Sequence, residues 1–251
     1  MLFAEPASTP YDLRFNVGPI PVRVHPLFWL IAVLFGASAG GILELLIWVA
    51  VIFVSILIHE LGHVVAFRRY GQAAKVVLHM GGGLAVPEPV SWGGRWANVE
   101  LRPSQAILIS LAGPAAGFLF AALVLAVAAA VGGIIIPTFL FGFIPFPEAL
   151  VPGGAVPNLI VHLLLWVNIF WGLVNLLPVY PLDGGNVARR AWISLDPLDG
   201  GRKSLWLSVI TGAVVALAGL LFLHSVYMAL LFGFLAFQSY QTLSGRSFGG
   251  Y

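Results

Sequence analysis

From Gln105 to Val131 the chain carries no ionisable side chain at all. An apolar run longer than about 20 residues can cross a hydrocarbon core of about 30 Å, and in lipid it must do so as a helix that satisfies its own backbone. Five more candidate spans follow the same logic: Leu27–Ala39, which is short but preceded by apolar residues from Val22, then Leu43–Phe67, Asn158–Leu177, Leu205–Leu223 and Val226–Leu243. Of the 251 residues, 60% are hydrophobic and 9% charged, against about 45–50% and about 25% in soluble domains. A disordered chain and a water-soluble enzyme are both excluded. The expectation is an all-α polytopic membrane protein with six transmembrane helices in a single membrane domain over residues 1–251.

The basic residues orient it. Arg14 and Arg23 precede the first span; Arg68, Arg69, Lys75, Arg95 and Arg102 lie between the second and third; Arg189, Arg190, Arg202 and Lys203 lie between the fourth and fifth; Arg246 follows the last. The connections at 40–42, 132–157 and 224–225 contain none. Positive charge accumulates on cytoplasmic loops, so both termini are expected in the cytoplasm, most simply at the cell membrane. An odd number of spans would place Arg246 opposite Arg14 and Arg23. Residues 5–21 are polar and proline-containing, and no positively charged start precedes them, so a cleaved signal peptide is not expected. A formal net charge of +2, scattered as it is, gives no nucleic-acid footprint.

Two connections read as structured. Lys75–Val86 (KVVLHMGGGLAV) has a β-branched run, a glycine turn and a second apolar run, the pattern of a β-hairpin, expected at membrane depth or on the membrane surface. Trp92, Arg95 and Trp96 beside it suit an interfacial layer. The outer loop 132–157 is apolar but broken by prolines, which fits a re-entrant segment or a lid.

Chemistry concentrates at the end of the second span, in ILIHELGHVVAFRRY. Helical residues four apart share a face, so His59 and His63 can bind one ion with Glu60 beside it as general base, the HExxH arrangement. The plainer alternative is a pair of packed histidines. Three ionisable groups in five residues of an apolar helix are costly, and such groups mark functional sites. The chain has no Cys, so any metal must use His or carboxylate. A catalytic zinc takes three protein ligands and an open position. Asp183 is the candidate third, in NLLPVYPLDGG, where Pro178 and Pro181 end a helix and Gly184 and Gly185 permit a sharp turn; an unwound stretch after Leu177 could fold back to carry it to the histidines' depth. An aspartate before glycine is also an ordinary solvated turn residue.

HELGH in one span with NLLPVYPLDGG at a later one resembles the site-2 protease family of intramembrane zinc metalloproteases. SLAGPAAG in the third span is similar to the family's AGP-type motif, and the glycine-rich hairpin to its membrane-embedded β element. The resemblance covers a catalytic core of about residues 20–190, with two further helices over 205–243. It implies a Zn2+ ion held by His59, His63 and Asp183, with Glu60 as catalytic acid/base. Asn175, eight residues before Asp183, matches the family's asparagine that faces the scissile carbonyl; by itself it reads equally well as an amide bonding between helices. The sequence departs from well-known members in lacking room for PDZ or CBS domains and in lacking an asparagine after AGP. The implied activity is a metalloendopeptidase that cuts a transmembrane protein substrate within the lipid bilayer, in regulated intramembrane proteolysis. A metal-ion transporter using the same residues, or an inactive scaffold, are the rival readings; the sequence is silent on oligomeric state. Gly113 and Gly117 read as a small-residue packing face, and His25, His79 and His224 are given no chemistry.

Overall fold

The computed structural model describes residues 5–37, 40–92, 95–97, 99–140, 142, 144–222 and 224–245. The chain divides into two compact units, one formed by Met1–Glu100 and Ala112–Leu173, the other by Leu101–Leu111 and Val174–Tyr251.

The first unit opens with strands β1 (Leu13–Val17) and β2 (Ile20–Val24), an antiparallel pair in which Val17 faces Ile20. That register leaves two residues for the turn, and Gly18 there has φ 55, a conformation glycine adopts without a steric penalty. Ile20, Val22 and Val24 are buried, whereas Pro21 is exposed. Helix α1 (Pro26–Phe35) starts at once, with His25 Nδ1 accepting from the Leu27 N–H and Pro26 in the first turn. Helix α2 (Ile42–Arg69) follows, then β3 (Ala74–His79) and β4 (Gly82–Pro87). The sheet order is β1-β2-β3-β4. β2 and β3 are parallel, with Val22 opposite Val76, so α1 and α2 form the crossover that parallel neighbours require. One sheet face, bearing Val22, Val24, Ala74, Val76 and Leu78, packs with Phe28 and Val64.

The hairpin expected over 75–86 is therefore present, but as half of a four-stranded sheet. Its other half uses residues that the sequence reading joined to the first span. With β2 taken by the sheet, α1 has 10 residues, about 15 Å of helix. Among the described residues five helices are long and apolar enough to cross a membrane, and α1 is a shorter apolar helix. The end of the expected first span (Ser38, Ala39), Leu223, Arg246, and the side chains of Trp92, Arg95 and Trp96 fall outside what is described.

Strands β5 (Val90–Trp92) and β6 (Arg95–Ala97) pair ahead of helix α3 (Pro103–Ala130). The outer loop then folds into a β-ribbon: β7 (Ile134–Ile136) pairs with β10 (Glu148–Leu150), and β8 (Phe139–Leu140) with β9 (Ile144–Pro145) between them. Phe146 and Ala149 enter a core with Ala121, Val124, Ala128 and Leu165. Helix α4 (Ala155–Trp166) continues through a π-helical turn (Val167–Trp171) into α5 (Gly172–Asn175), a single helical run.

In the second unit, α6 (Asp183–Leu195) leads through Asp196 to α7 (Gly200–Leu221), which packs along α8 (Val226–Leu243). Close approach of that pair rests on Gly212 against Phe232 and Ala236 and on Gly219 against Met228. The Asp196 carboxylate accepts from Lys203 Nζ at 2.6 Å, and this bond, with the Asp199 N–H, holds its carboxyl below the usual carboxylate range.

Candidate metal centre

The helical period of α2 places His59 and His63 one turn apart on one face. Their Nε2 atoms lie 3.2 Å apart, with the rings nearly perpendicular at 78°. Ligand atoms of His59, Glu60 and His63 all fall within 4.8 Å of one another. Glu60 is 6% and His63 7% exposed, in a helix otherwise apolar from Val49 to Ile58 apart from Ser55.

Three glycines shape the space around this group. At Gly113 of α3, a β-carbon would stand 2.2 Å from His63 Nε2 and 2.7 Å from His59 Nε2. Any side chain there would enter the space the two nitrogens share. At Gly83 of β4, a β-carbon would meet Glu60 Cγ at 2.3 Å and Oε1 at 2.5 Å. Gly62 has the Ala112 carbonyl 2.4 Å from its β-carbon position, which sets how near α2 and α3 can come. β4 is an edge of its sheet, so the strand against Glu60 has one side unpaired within that sheet.

A second polar pair lies one turn earlier on α2. Asn168, in the π turn, donates from Nδ2 to Ser55 Oγ at 2.9 Å and to the Leu164 carbonyl at 2.8 Å; Asn168 is 4% and Ser55 3% exposed. Ser55 precedes His59 by four residues and shares its face. π turns recur at functional sites.

Of the residues that the sequence singles out, His59, Glu60 and His63 come together. Asn175 and Asp183 belong to the other unit. There Asn175 ends α5 and Asp183 begins α6, so Asp183 is the first residue of a helix. The intervening turn contains a cis Tyr180–Pro181 bond, and it closes tightly because Gly184 and Gly185 abut the backbone of Leu176 and of Val179–Tyr180. Tyr180 N donates to Ser208 Oγ at 3.0 Å, tying the turn to α7.

Sequence reasoning missed Gly83, Gly113, Ser55 and Asn168 as neighbours of the site. Gly113 read as packing because a small-residue spacing looks the same whether it faces a helix or an imidazole. Ser55 was detectable as the polar residue four before His59.

The donor set fits a divalent metal. Two imidazoles presenting Nε2 to one point beside a carboxylate are the ligand types of zinc sites, and a facing pair at 3.2 Å needs a proton or cation between the nitrogens' lone pairs.

Comparison with known proteins agrees. Peptidase family M50 matches residues 154–218. A zinc metalloprotease of Methanocaldococcus jannaschii is 29% identical over 218 residues, 84% of this chain and 54% of the relative. A putative zinc metalloprotease of Synechocystis is 33% identical over 185 residues, 68% of this chain and 41% of the relative. Putative zinc metalloprotease Rip3 of Mycobacterium tuberculosis is 29% identical over 171 residues, 64% and 36%. The chain therefore spans about half the length, or less, of these relatives. The solved site-2 protease from Methanocaldococcus jannaschii matches with a TM-score of 0.53 at 25% identity, over 96% of this chain and 98% of that one. Its long apolar helices, its His59–Glu60–His63 group and these likenesses together make the chain similar to peptidase family M50 and to a solved site-2 protease.

Proposed function

We propose that this chain is an intramembrane zinc metalloprotease that hydrolyses a peptide bond in or near a transmembrane segment of a membrane protein, as a step of regulated intramembrane proteolysis. The observation that carries the reading is the facing of two imidazole nitrogens, 3.2 Å apart, beside the buried Glu60 in an apolar helix. His59 and His63 are two zinc ligands and Asp183 the third. A zinc ion held there supplies Lewis acidity, lowering the pKa of water and polarising a carbonyl. Glu60 takes the proton from the attacking water and passes it to the leaving amine. Asn175 donates a hydrogen bond to the oxygen on which negative charge develops.

A helical substrate hides its scissile amide in its own hydrogen bonds. It must be locally extended, and an extended segment can add to the open side of β4, recovering its backbone bonds by strand pairing. Gly83 supports this reading, because it sets that strand against Glu60.

In the membrane the proposed arrangement has α1 and its neighbouring residues as a sixth, short span, both termini in the cytoplasm and the site in the cytoplasmic half of a single membrane domain. The relatives named as zinc metalloproteases favour hydrolysis over a transporter or an inactive scaffold.

The test is metal content and cleavage measured together on detergent-purified protein with a transmembrane peptide substrate. Wild type is expected to hold about one zinc per chain; Glu60→Gln keeps the zinc and loses cleavage, and Asp183→Ala loses or weakens the zinc. Cleavage that persists in Glu60→Gln overturns the assignment. Zinc indifferent to Asp183→Ala places the third ligand elsewhere.

A further inference from the structure

The sheet face turned away from Val64 carries a row of cations. Arg14 on β1 stands directly opposite Arg23 on β2. Arg23 is level with Val77 on β3, and Lys75, two residues earlier on that strand, shares its face. Like charges directly opposed across strands are destabilising, so such a row persists only with compensation. Here it comes from two acids of the segment before β1. Asp12 Oδ2 lies 3.2 Å from Arg23 Nη1 and 3.8 Å from Arg14 Nη2, and Glu5 Oε1 lies 2.9 Å from both Arg23 Nη2 and Lys75 Nζ.

The two acids differ in kind. Asp12 has a side chain with 0% exposure and accepts from Thr9 N and Thr9 Oγ1, which builds it into a turn. Glu5 is about one-third exposed and presents one oxygen to both cations. Glu5 and the same three cations line a cleft of about 590 Å³, within the size range of small-molecule sites. Lys75 follows Arg69, the last residue of the long apolar helix α2, by six residues. In a membrane protein that is the depth at which hydrocarbon gives way to lipid phosphates.

We infer that this cleft is a binding site for the phosphate of an anionic lipid headgroup, and that the Glu5 carboxylate is a built-in occupant which the lipid displaces. Guanidinium and ammonium groups converging on one oxygen position suit a phosphate as they suit a carboxylate. The site stands apart from the metal centre and does not depend on the hydrolytic reading.

The experiment is native mass spectrometry of the full chain in neutral detergent, titrated with equal amounts of dioleoyl phosphatidylglycerol and dioleoyl phosphatidylcholine. One phosphatidylglycerol is expected to be retained in preference to phosphatidylcholine. Lys75→Gln should weaken that retention by about tenfold, the worth of one charge-assisted hydrogen bond, and Lys75→Arg should preserve it. Glu5→Gln should strengthen it by a similar factor, which loss of folding cannot imitate. Retention unmoved by both Lys75→Gln and Glu5→Gln overturns the proposal. So does displacement of the lipid by inorganic phosphate or by a soluble acidic peptide at equal concentration, which would assign the cleft to a free anion or to a protein partner instead.

Discussion

Gly83 and Glu60 are packed so closely that a β-carbon at position 83 would lie 2.3 Å from Glu60 Cγ, under van der Waals contact by more than an ångström. The edge strand can stand this near the buried carboxylate only because position 83 has no side chain.

Gly83→Ala should therefore displace either the strand or the glutamate. Overpacking of this kind costs about 1–3 kcal/mol, and paid at the reacting groups it lowers kcat/KM by about tenfold to a hundredfold. Zinc content should stay near that of the wild type, since neither imidazole is touched. Cleavage kinetics with parallel metal analysis decide it; wild-type kinetics would show that the contact has no part in the reaction.

At Gly113 the expectation reverses. The added methyl group of Gly113→Ala would sit 2.2 Å from His63 Nε2, so zinc itself should be lost along with activity. Elemental analysis of the purified variant reads this directly, and a full complement of zinc would contradict it.

How much of this was legible in the sequence depends on the distance over which each signal acts. The HELGH group is a relationship within one helical turn, and the span expected over Leu43–Phe67 is the helix Ile42–Arg69, which carries His59, Glu60 and His63. The hairpin at 75–86 was equally local. The strand Ile20–Val24 is not, because its apolar residues suit a lead-in to a span equally well; the alternation of buried Ile20, Val22 and Val24 with Pro21 and Arg23 is a strand pattern, but it becomes decisive only through pairing with β3, where Val22 meets Val76. The β-ribbon of the outer loop is not legible for a similar reason, since Phe146 and Ala149 find their partners on α3 and α4. The turn before Asp183 was anticipated from its prolines and glycines, whereas the helix that begins at Asp183 was not, its amphipathic sequence being too polar to register as a span.

The Ser55–Asn168 bond joins α2 to the π turn with both partners buried. Asn168→Ala removes two hydrogen bonds at once, and a buried polar group left without its partner costs about 1–3 kcal/mol. The thermal midpoint in detergent should fall for Asn168→Ala, and a double-mutant cycle with Ser55→Ala should show coupling of about 0.5 kcal/mol or more. Strict additivity would mean the bond contributes nothing.

His79 makes stability depend on pH. Burial pushes its imidazole below the ordinary 6.5, with His25 and Arg23 adding to the shift, while Nδ1 accepts from the Gly81 N–H. The folded state therefore takes up this proton less readily than the unfolded chain. The stability associated with neutral His79 is present above the unfolded value and is lost as pH falls below it toward the folded one. Melting midpoints taken between about pH 8 and pH 5 should decline less in His79→Gln than in wild type; parallel declines would show that the imidazole titrates as it does in the unfolded chain.

The β2–α1–α2–β3 crossover has one further consequence. Helix α2 enters the sheet after only residues 70–73, where Gln72 is clasped by the Ala73 and Glu88 carbonyls and the Val99 N–H. The sheet is thereby tied to the end of the helix that carries the histidine pair. A change in bilayer thickness strains the helices that cross it, and the spacing from β4 to the imidazoles, set by so short and so well bonded a connection, is expected to stay constant.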